Sequence, residues 1–463
     1  MPVTFLRAAT SSPSVSHPDR INRTARGTLA ATTLGFFGGF AGVSIVGPLA
    51  PRFAELLHLS PVIAALLAAT PNLTGSLLRI PFGALYDRLG GRRPFLFLLA
   101  VTSVAVLGLL VLLHARYPDH LAGSLPLLFL LAALAGFGVA TFSVGVGQIA
   151  GWHSADRQGR ALGIYAGLGN LGPALSALLL PIAVTSLGIV GGYGIWLVIL
   201  VVLTVLYALF ARDAARIGSP VRAASSALLC AASRRTTWML VSGYFISFGG
   251  FLGLTAWLPS YWHAMYGLSL RESGILTASF AATAALARVP GGILADRLAS
   301  HAVLLTANAG LVGGIAVLCW SSSLPLSLGA TLIVAAAMGV QNAWIFRTLP
   351  MCAPDAVGSA AGWVGGLGAL GGFALPPLVG WVTSLVGGRT GYAQGFLPIA
   401  AAAALVLPAL LRLASHVSGR RVGLITSQFP PESGARGPSL GLRRLMAEPS
   451  LQQLQERDID VPR

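Results

Sequence analysis

Two arginines, Arg79 and Arg288, have the most informative surroundings in this sequence, because each lies inside a long apolar segment. An arginine at the centre of a membrane-spanning helix costs about 2.5–3.5 kcal/mol on insertion scales, so its presence there indicates a function. A guanidinium is planar, permanently charged and forked, and it can donate two parallel hydrogen bonds to two oxygens of one anion. We therefore predict that Arg79 and Arg288 are the two halves of one site for a small anion.

The composition indicates a polytopic membrane protein. The 463 residues are 55% hydrophobic and 10% charged, with a mean hydropathy of +0.77, whereas soluble domains are about 25% charged. All 30 basic residues are arginines, and the net charge of +16 lies mainly in loops and tails. This distribution follows the positive-inside rule, so it does not indicate nucleic acid as a partner. The three cysteines have neither disulfide nor metal-ligand spacing, and we expect no metal and no cofactor.

Twelve apolar segments have the length of a membrane span, at about 20 residues each. They lie at 28–50, 61–86, 94–114, 124–150, 160–184, 192–211, 236–262, 271–296, 301–321, 325–348, 357–385 and 393–414. The expected domains are a leader (1–27), a six-helix bundle (28–211), a linker (212–237), a second six-helix bundle (238–414) and a tail (415–463). The arginine-rich loops alternate with arginine-poor loops, which places both termini in the cytoplasm.

The two halves are related by an internal repeat. When Arg79 is aligned with Arg288, Pro81 meets Pro290 and Asp87 meets Asp296 without a gap. A second match joins GIYAGLGNLG (163–172) to GWVGGLGALG (362–371). A duplicated six-span unit is typical of a secondary transporter with a site between its halves.

The glycines of the second match formally read G-x-G-x-x-G, but they follow no strand and lie inside apolar spans, which argues against a dinucleotide site. Small residues at this density let membrane helices pack backbone to backbone. We predict this packing role for Gly163, Gly167, Gly169, Gly172, Gly362, Gly366, Gly368, Gly371 and Gly372. Packing does not account for Asn170, a polar amide in the middle of the fifth span.

The segment GALYDRLGGRR (83–93) resembles the loop between spans two and three of the major facilitator superfamily, which carries G-x-x-x-D-R-x-G-R-R. This resemblance implies an all-α fold of twelve transmembrane helices in two pseudo-symmetric six-helix halves. It also implies that the loop controls conformational gating, in addition to anchoring the topology. The expected gating residues are Gly83, Asp87, Arg88, Gly91, Arg92 and Arg93, with Asp296 and Arg297 in the second half.

A narrower resemblance is to the nitrate/nitrite porter family of that superfamily. It rests on AGLGNLGPALSALLLP (166–181), GGLGALGGFALPP (365–377), LLRIPFG (77–83) and LARVPGG (286–292), which occur in the family's order. The resemblance implies that Arg79 and Arg288 bind the anion, with Asn170 as the signature asparagine. It implies aromatic neighbours at Phe142, Tyr244 and Phe248. In the tenth span, GVQNAW (339–344) departs from the family's more glycine-rich segment.

The expected function is therefore transport of nitrate and nitrite by alternating access, most simply as an exchange. No Asp, Glu or Lys is clearly inside a span, which favours anion exchange over proton symport. Proton-coupled nitrate uptake, transport of another small anion such as cyanate, and a non-transporting membrane sensor remain alternatives. No catalytic constellation stands out, so an enzyme is not expected. We expect a monomer in the bacterial inner membrane.

Overall fold

The computed structural model describes residues 18–153, 155–214, 221–354 and 357–428, and within these ranges every regular element is helical. Residues Met1–Ser415 form one compact unit, and a second unit, His416–Arg463, is described up to Gln428. Most of the predicted leader and the tail beyond Gln428 lie outside the described residues.

The helices of the first half are α1 (Pro18–Ala41), α2 (Ala50–Leu56), α3 (Pro61–Leu89), α4 (Arg92–Arg116), α5 (Leu125–Ala135), α6 (Thr141–Trp152), α7 (Ala155–Gly169) and α8 (Gly172–Phe210). The linker contains α9 (Val221–Ser233). The second half contains α10 (Arg235–Tyr244), α11 (Gly250–Tyr266), α12 (Leu270–Leu286), α13 (Arg288–Arg297), α14 (Ser300–Trp320), α15 (Leu324–Cys352), α16 (Val357–Leu367), α17 (Gly371–Val386), α18 (Gly388–Gln394) and α19 (Leu397–Gln428).

The described residues contain eleven stretches that are long and apolar enough to cross a membrane. One of them, Arg160–Phe210, has 51 residues, and a helix of that length would be about 76 Å long, more than twice the thickness of a bilayer core. Gly188 interrupts it with φ 74° and ψ 168°, a conformation that favours glycine. Divided at Gly188 it provides two spans, and each of the other ten stretches overlaps one predicted segment. The predicted all-α fold with twelve spans is thereby confirmed.

Several spans lose regular α-helical geometry near their middle. The fifth span turns at Asn170 and Leu171, and the eighth is interrupted at Ala287, immediately before Arg288. Short 3₁₀ or π segments occur in the first, fourth, seventh and eleventh spans, at Gly42–Ser44, Gly47–Leu49, Gly136–Ala140, Phe245–Gly249 and Gly368–Leu370.

Within each half, the glycine signature packs its span against a neighbouring span, and the two halves do this in the same way. A Cβ on Gly169 would overlap the ring of Phe36, and a Cβ on Gly172 would overlap the Phe37 carbonyl oxygen. In the second half, Gly368 meets Tyr244 and Gly371 meets the Phe245 carbonyl oxygen, which are the corresponding positions of the seventh span. The fifth span therefore contacts the first as the eleventh contacts the seventh, which gives the fold its pseudo-symmetry.

The predicted packing role does not apply to three of the glycines. No described atom lies within 4 Å of a Cβ built on Gly163, Gly167 or Gly362. The role does apply to Gly366 and Gly372, where a Cβ would lie 2.8 Å from Ile80 Cγ1 and 2.7 Å from Leu252 Cβ.

Helices at both ends of the described chain extend beyond the predicted bundles, and the predicted linker contains a helix. The helix α1 begins at Pro18, inside the region predicted as a leader, and α19 continues from the last span to Gln428. The predicted linker contains α9, whose Leu228 and Ala232 carbonyls accept hydrogen bonds from the indoles of Trp363 and Trp238. These two bonds attach α9 to the second half.

The halves are in close contact at their predicted outer ends. Ala50 and Ala68 of the first half pack with Ala256 of the seventh span, and all three are at most 2% exposed. At the rim of this apolar contact, His263 Nε2 lies 3.0 Å from Glu55 Oε1. The contact closes the predicted outer side of the site described next.

Candidate anion-binding site

The side chain of Arg79 is buried in the middle of the protein, with 1% of its surface exposed. Its Nη1 donates a 2.8 Å hydrogen bond to the Gly365 carbonyl oxygen of the eleventh span. Gly365 lies in the last turn of α16, where carbonyl groups lack partners within the helix. One donor of Arg79 therefore bonds to the opposite half of the protein, which fixes the orientation of the guanidinium plane.

The other two donor groups of Arg79 are unoccupied. Its Nε and Nη2 are buried and have no hydrogen-bond partner among the described residues. These two nitrogens share one edge of the guanidinium, which is the edge that binds two oxygens of a planar anion side by side. Arg79 thus presents a complete, pre-oriented fork.

Aromatic rings surround this guanidinium. The carbon at its centre lies 5.0 Å from the ring centroid of Phe142, 5.2 Å from that of Phe248 and 6.0 Å from that of Phe40. These distances are within the range of cation–π attraction, which offsets part of the cost of burying the charge. The rings also exclude lipid and confine the free edge to a narrow space.

Arg288 approaches the same space from the second half. It is the first residue of α13, and its guanidinium carbon lies 5.0 Å from the ring centroid of Phe248, which also contacts Arg79. Arg288 Nη2 is buried and has no partner among the described residues. The described ion pairs include no carboxylate bound to either arginine. Two like charges without a counter-ion repel each other in a low-dielectric interior, and a bound monovalent anion would offset that repulsion.

Tyr244 completes the aromatic wall. Its ring stacks on Phe248 with centroids 4.6 Å apart and planes 13° apart. It fits because Gly368 has no side chain: a Cβ there would lie 2.7 Å from Tyr244 Cδ1. The structure therefore brings together five of the predicted site residues, namely Arg79, Arg288, Phe142, Tyr244 and Phe248.

Asn170 behaves differently from the expected donor. Its Nδ2 donates to the Ala166 carbonyl oxygen of its own helix, and its buried Oδ1 has no partner among the described residues. No described hydrogen bond joins it to Arg79 or Arg288. In this conformation its amide stabilises the break between α7 and α8.

The sequence prediction missed Phe40 and the Gly365 carbonyl. Phe40 stacks on Phe248 with planes 9° apart. The repeat contains a signal for it, because GFFGGFAG (35–42) aligns with GYFISFGG (243–250) and pairs Phe40 with Phe248. The Gly365 carbonyl has no such signal, since any residue carries a carbonyl.

The loop between α3 and α4 is held by a residue that was not predicted. The carboxylate of Asp213, just after the sixth span, accepts hydrogen bonds from the backbone N–H of Gly91 (2.9 Å) and Arg92 (3.0 Å). These N–H groups begin α4, so Asp213 caps that helix from a distant part of the chain. Arg92 Nη2 adds a 2.6 Å bond to the Ala208 carbonyl oxygen. The predicted gating loop is thus joined to the end of the sixth span.

Gln148 connects this loop to the first and sixth spans. Its Oε1 accepts from Tyr207 (2.7 Å) and Thr32 (3.2 Å), and its Nε2 donates to Asp213 (3.2 Å). In the register of the glycine signatures, Gln148 corresponds to Arg347 of the second half. Arg347 Nε in turn donates to Asp296 Oδ1.

Most of the remaining predicted gating residues lie at the surface of the protein. Arg88, Arg93 and Arg297 are exposed, and the side chain of Asp87 lies outside the described residues. A Cβ on Gly83 would meet Ser143 Cβ at 3.6 Å, an ordinary contact. Gly91 is the tighter position, because a Cβ there would lie 2.8 Å from Gln148 Cβ.

The chain is similar to known membrane transporters. The model of the Major Facilitator Superfamily matches residues 32–376. The probable nitrate/nitrite transporter NarK2 of Mycobacterium tuberculosis is 35% identical over 348 residues, covering 73% of this chain and 83% of that protein. The probable nitrate/nitrite antiporter NarK1 of Thermus thermophilus is 31% identical over 404 residues, covering 80% and 87%. The nitrite extrusion protein of Bacillus subtilis is 30% identical over 372 residues, covering 80% and 90%.

Among solved structures, a bacterial homologue of the human lysosomal transporter Spinster, in an inward-facing and unoccupied conformation, superposes with a TM-score of 0.60. It covers 87% of this chain and 97% of that chain at 18% sequence identity. This likeness concerns the fold alone.

Proposed function

Because this chain belongs to the major facilitator superfamily, in its nitrate/nitrite porter family, we propose that it carries nitrate and nitrite across a membrane by alternating access. The observation that carries this proposal is the free edge of Arg79, held in place by the Gly365 carbonyl and surrounded by aromatic rings. Nitrate and nitrite are small, monovalent and planar, and two of their oxygens match the spacing of Nε and Nη2.

The two arginines also support exchange as the mechanism. Arg79 and Arg288 come from opposite halves and share the ring of Phe248, so bringing them together without an anion costs electrostatic energy. A bound anion removes that cost and lets the halves close around it. An empty carrier would reorient slowly, and nitrate entering would be coupled to nitrite leaving.

Proton-coupled nitrate uptake is the second candidate, and one observation favours it. Glu55 and His263 form a titratable pair between the two halves at the predicted outer end. A group that binds a proton there could link opening of the outer side to external acidity. The pair lies at the end of the spans and does not contact either arginine. A proton bound there would therefore not act directly on the anion site, and for this reason we rank proton-coupled uptake below exchange.

We also propose a membrane setting for this chain. We place the arginine-rich loops, including the Gly83–Arg93 loop, in the cytoplasm, with both termini on that side. A multi-pass transporter of inorganic anions in a bacterium would lie in the inner membrane and work as a monomer in the lipid bilayer. We propose transport alone and no catalysis, because the described side chains of the site are arginines and aromatic residues, a set that suits binding of a small anion. A non-transporting sensor would need a further signalling domain.

Nitrate counterflow in proteoliposomes tests the proposal. Purified protein is reconstituted with or without trapped nitrite, and uptake of labelled nitrate is followed at equal pH and after a pH step. Exchange predicts rapid uptake only with an internal anion, whether or not a pH step is applied. Rapid net uptake driven by the pH step alone, without internal nitrite, would contradict exchange and favour proton coupling. Cyanate added as a competitor measures the selectivity of the same site.

A further inference from the structure

One buried hydroxyl beside the site has no partner. Ser76 is 0% exposed, and its Oγ makes no hydrogen bond with any described residue. Several hydroxyls inside the spans donate to the carbonyl four residues earlier, as Thr70 does to Leu66 (2.7 Å) and Ser247 does to Gly243 (2.9 Å). Ser76 and a few others, Ser273 and Thr348 among them, do not. A buried hydroxyl without a partner costs about 1–3 kcal/mol, which a bound ligand that accepts its hydrogen bond would recover.

Ser76 lies on the same face of α3 as Arg79. It lies three residues before Arg79 on α3, and long side chains in a helix point back towards the residues three and four positions earlier. The eleventh span covers the same face, because a Cβ on Gly366 would lie 3.5 Å from the Ser76 carbonyl oxygen. The neighbouring residue, Gly365, is the one that accepts the hydrogen bond from Arg79. Ser76 and Arg79 therefore share the face of α3 that packs against the eleventh span.

From this arrangement we infer that Ser76 binds the substrate and distinguishes nitrate from nitrite, an inference that rests on the proposed function. The Nε and Nη2 of Arg79 donate to two oxygens of the bound anion. Nitrate has a third oxygen, which accepts the hydrogen bond from Ser76 Oγ. Nitrite has only two oxygens, both bonded to Arg79, so it gains nothing from the hydroxyl.

The hydroxyl belongs to the first half only. In the ungapped register that pairs Arg79 with Arg288, Ser76 corresponds to Ala285, which has no polar group. One turn further from Arg79, Asn72 Nδ2 donates to the Gly372 carbonyl oxygen (3.2 Å) and joins the second span to the eleventh. The site is therefore asymmetric, with its third donor on the side of Arg79.

Transport kinetics of the Ser76→Ala variant test the inference. The KM values for nitrate and for nitrite are measured in proteoliposomes for wild type, Ser76→Ala and Ser76→Thr. Loss of one hydrogen bond to a charged ligand predicts about a tenfold rise in the KM for nitrate and less than about a twofold change for nitrite, with unchanged maximal rates. Ser76→Thr keeps the hydroxyl and is expected to keep the wild-type ratio of the two KM values. Ser103→Ala is the matched control, because the hydroxyl of Ser103 is already bonded to Leu99 (2.8 Å) in the third span.

The ratio of the two KM values does not depend on the amount of active protein, so partial misfolding does not imitate the expected result. If wild type transports both anions and Ser76→Ala keeps the wild-type ratio of the two KM values, the assignment of Ser76 is overturned, while the proposed function is unaffected. Equal rises of both KM values would assign Ser76 to packing and also overturn it. A wild type that transports neither anion would contradict the proposed function and this inference with it.

Discussion

At the residue scale, the site depends on how the donors of one arginine are divided. Arg79 uses Nη1 to bond to the opposite half and keeps Nε and Nη2 for a ligand. A lysine has a single charged nitrogen and cannot do both with a fixed geometry. Charge alone is therefore insufficient at this position, because only the planar guanidinium can bond to the opposite half and bind an anion at the same time.

Arg79→Lys is expected to lower nitrate transport about 10- to 100-fold, because one bidentate charged interaction is lost while the positive charge stays. The amount of protein in the membrane should stay at the wild-type level. Labelled nitrate uptake, normalised to the reconstituted protein, measures the effect. Arg389→Lys, a change at an exposed arginine between the last two spans, serves as the control. Full transport by Arg79→Lys would mean that the site requires only a charge.

At the scale of the elements, glycines determine how closely the spans approach one another. Gly371 packs against the backbone of the π segment Phe245–Gly249, which carries Phe248 into the site. The interruption of the eleventh span at Gly368–Leu370 lies just after the Gly365 carbonyl. The contact between the seventh and eleventh spans thus positions both a ring and an acceptor of the site.

Gly371→Ala is expected to reduce transport at least about tenfold and to lower the melting temperature, because its Cβ would overlap a backbone carbonyl oxygen that cannot rotate away. Gly167→Ala is the matched control in the other signature, since no described atom lies within 4 Å of its Cβ. At Gly167, alanine reduces the backbone freedom of the unfolded chain, so we expect the free energy of unfolding to rise by about 0.5–1 kcal/mol. Transport assays and thermal melting in detergent measure both variants. Equal effects would show that glycine packing does not determine the site.

Asp213→Ala is expected to lower the melting temperature, because α4 loses a cap worth about 1 kcal/mol and the gating loop loses its attachment to the sixth span. Thermal melting of the purified protein is the measurement. Asp119→Ala removes another exposed aspartate, for which no hydrogen bond or ion pair is described, and should leave the melting temperature unchanged. If both variants melt alike, the cap does not contribute to stability.

At the scale of the whole molecule, an apolar contact and one polar pair close the predicted outer side. The alanine contact of Ala50, Ala68 and Ala256 is almost fully buried, whereas the side chains of His263 and Glu55 are 38% and 52% exposed. An exposed ion pair contributes about 0–1 kcal/mol to stability. We therefore expect the apolar contact to provide most of the free energy that keeps the outer side closed. Alternating access requires that both separate when the outer side opens.

Glu55→Gln is therefore expected to raise the fraction of outward-open protein by at most about fivefold. A cysteine introduced by Ala68→Cys, labelled from outside with an impermeant thiol reagent, reports the opening through its labelling rate. The parent protein without that cysteine measures the background from the three native thiols. A rise far above fivefold would mean that the polar pair, and not the alanine contact, holds the outer side closed.

The sequence by itself determined the features that depend on local composition. Hydrophobic segment length predicts the spans, arginine placement predicts the topology, and the repeat pairs Arg79 with Arg288. Each of these is a property of a short stretch, so each can be read without knowing what lies beside it. The aromatic residues Phe142, Tyr244 and Phe248 followed from the family resemblance, and the same repeat that was recognised for the arginines also pairs Phe40 with Phe248.

Only the tertiary structure decided which polar groups are engaged and which are free. The bond from Arg79 to Gly365 joins residues 286 positions apart, and Asp213 caps a helix that begins 121 positions earlier. The same holds for the glycines, since Gly371 is tightly packed while Gly167 is not, although both belong to matching signatures. Such differences depend on the neighbour across the helix interface, and the periodicity of one segment contains no information about that neighbour.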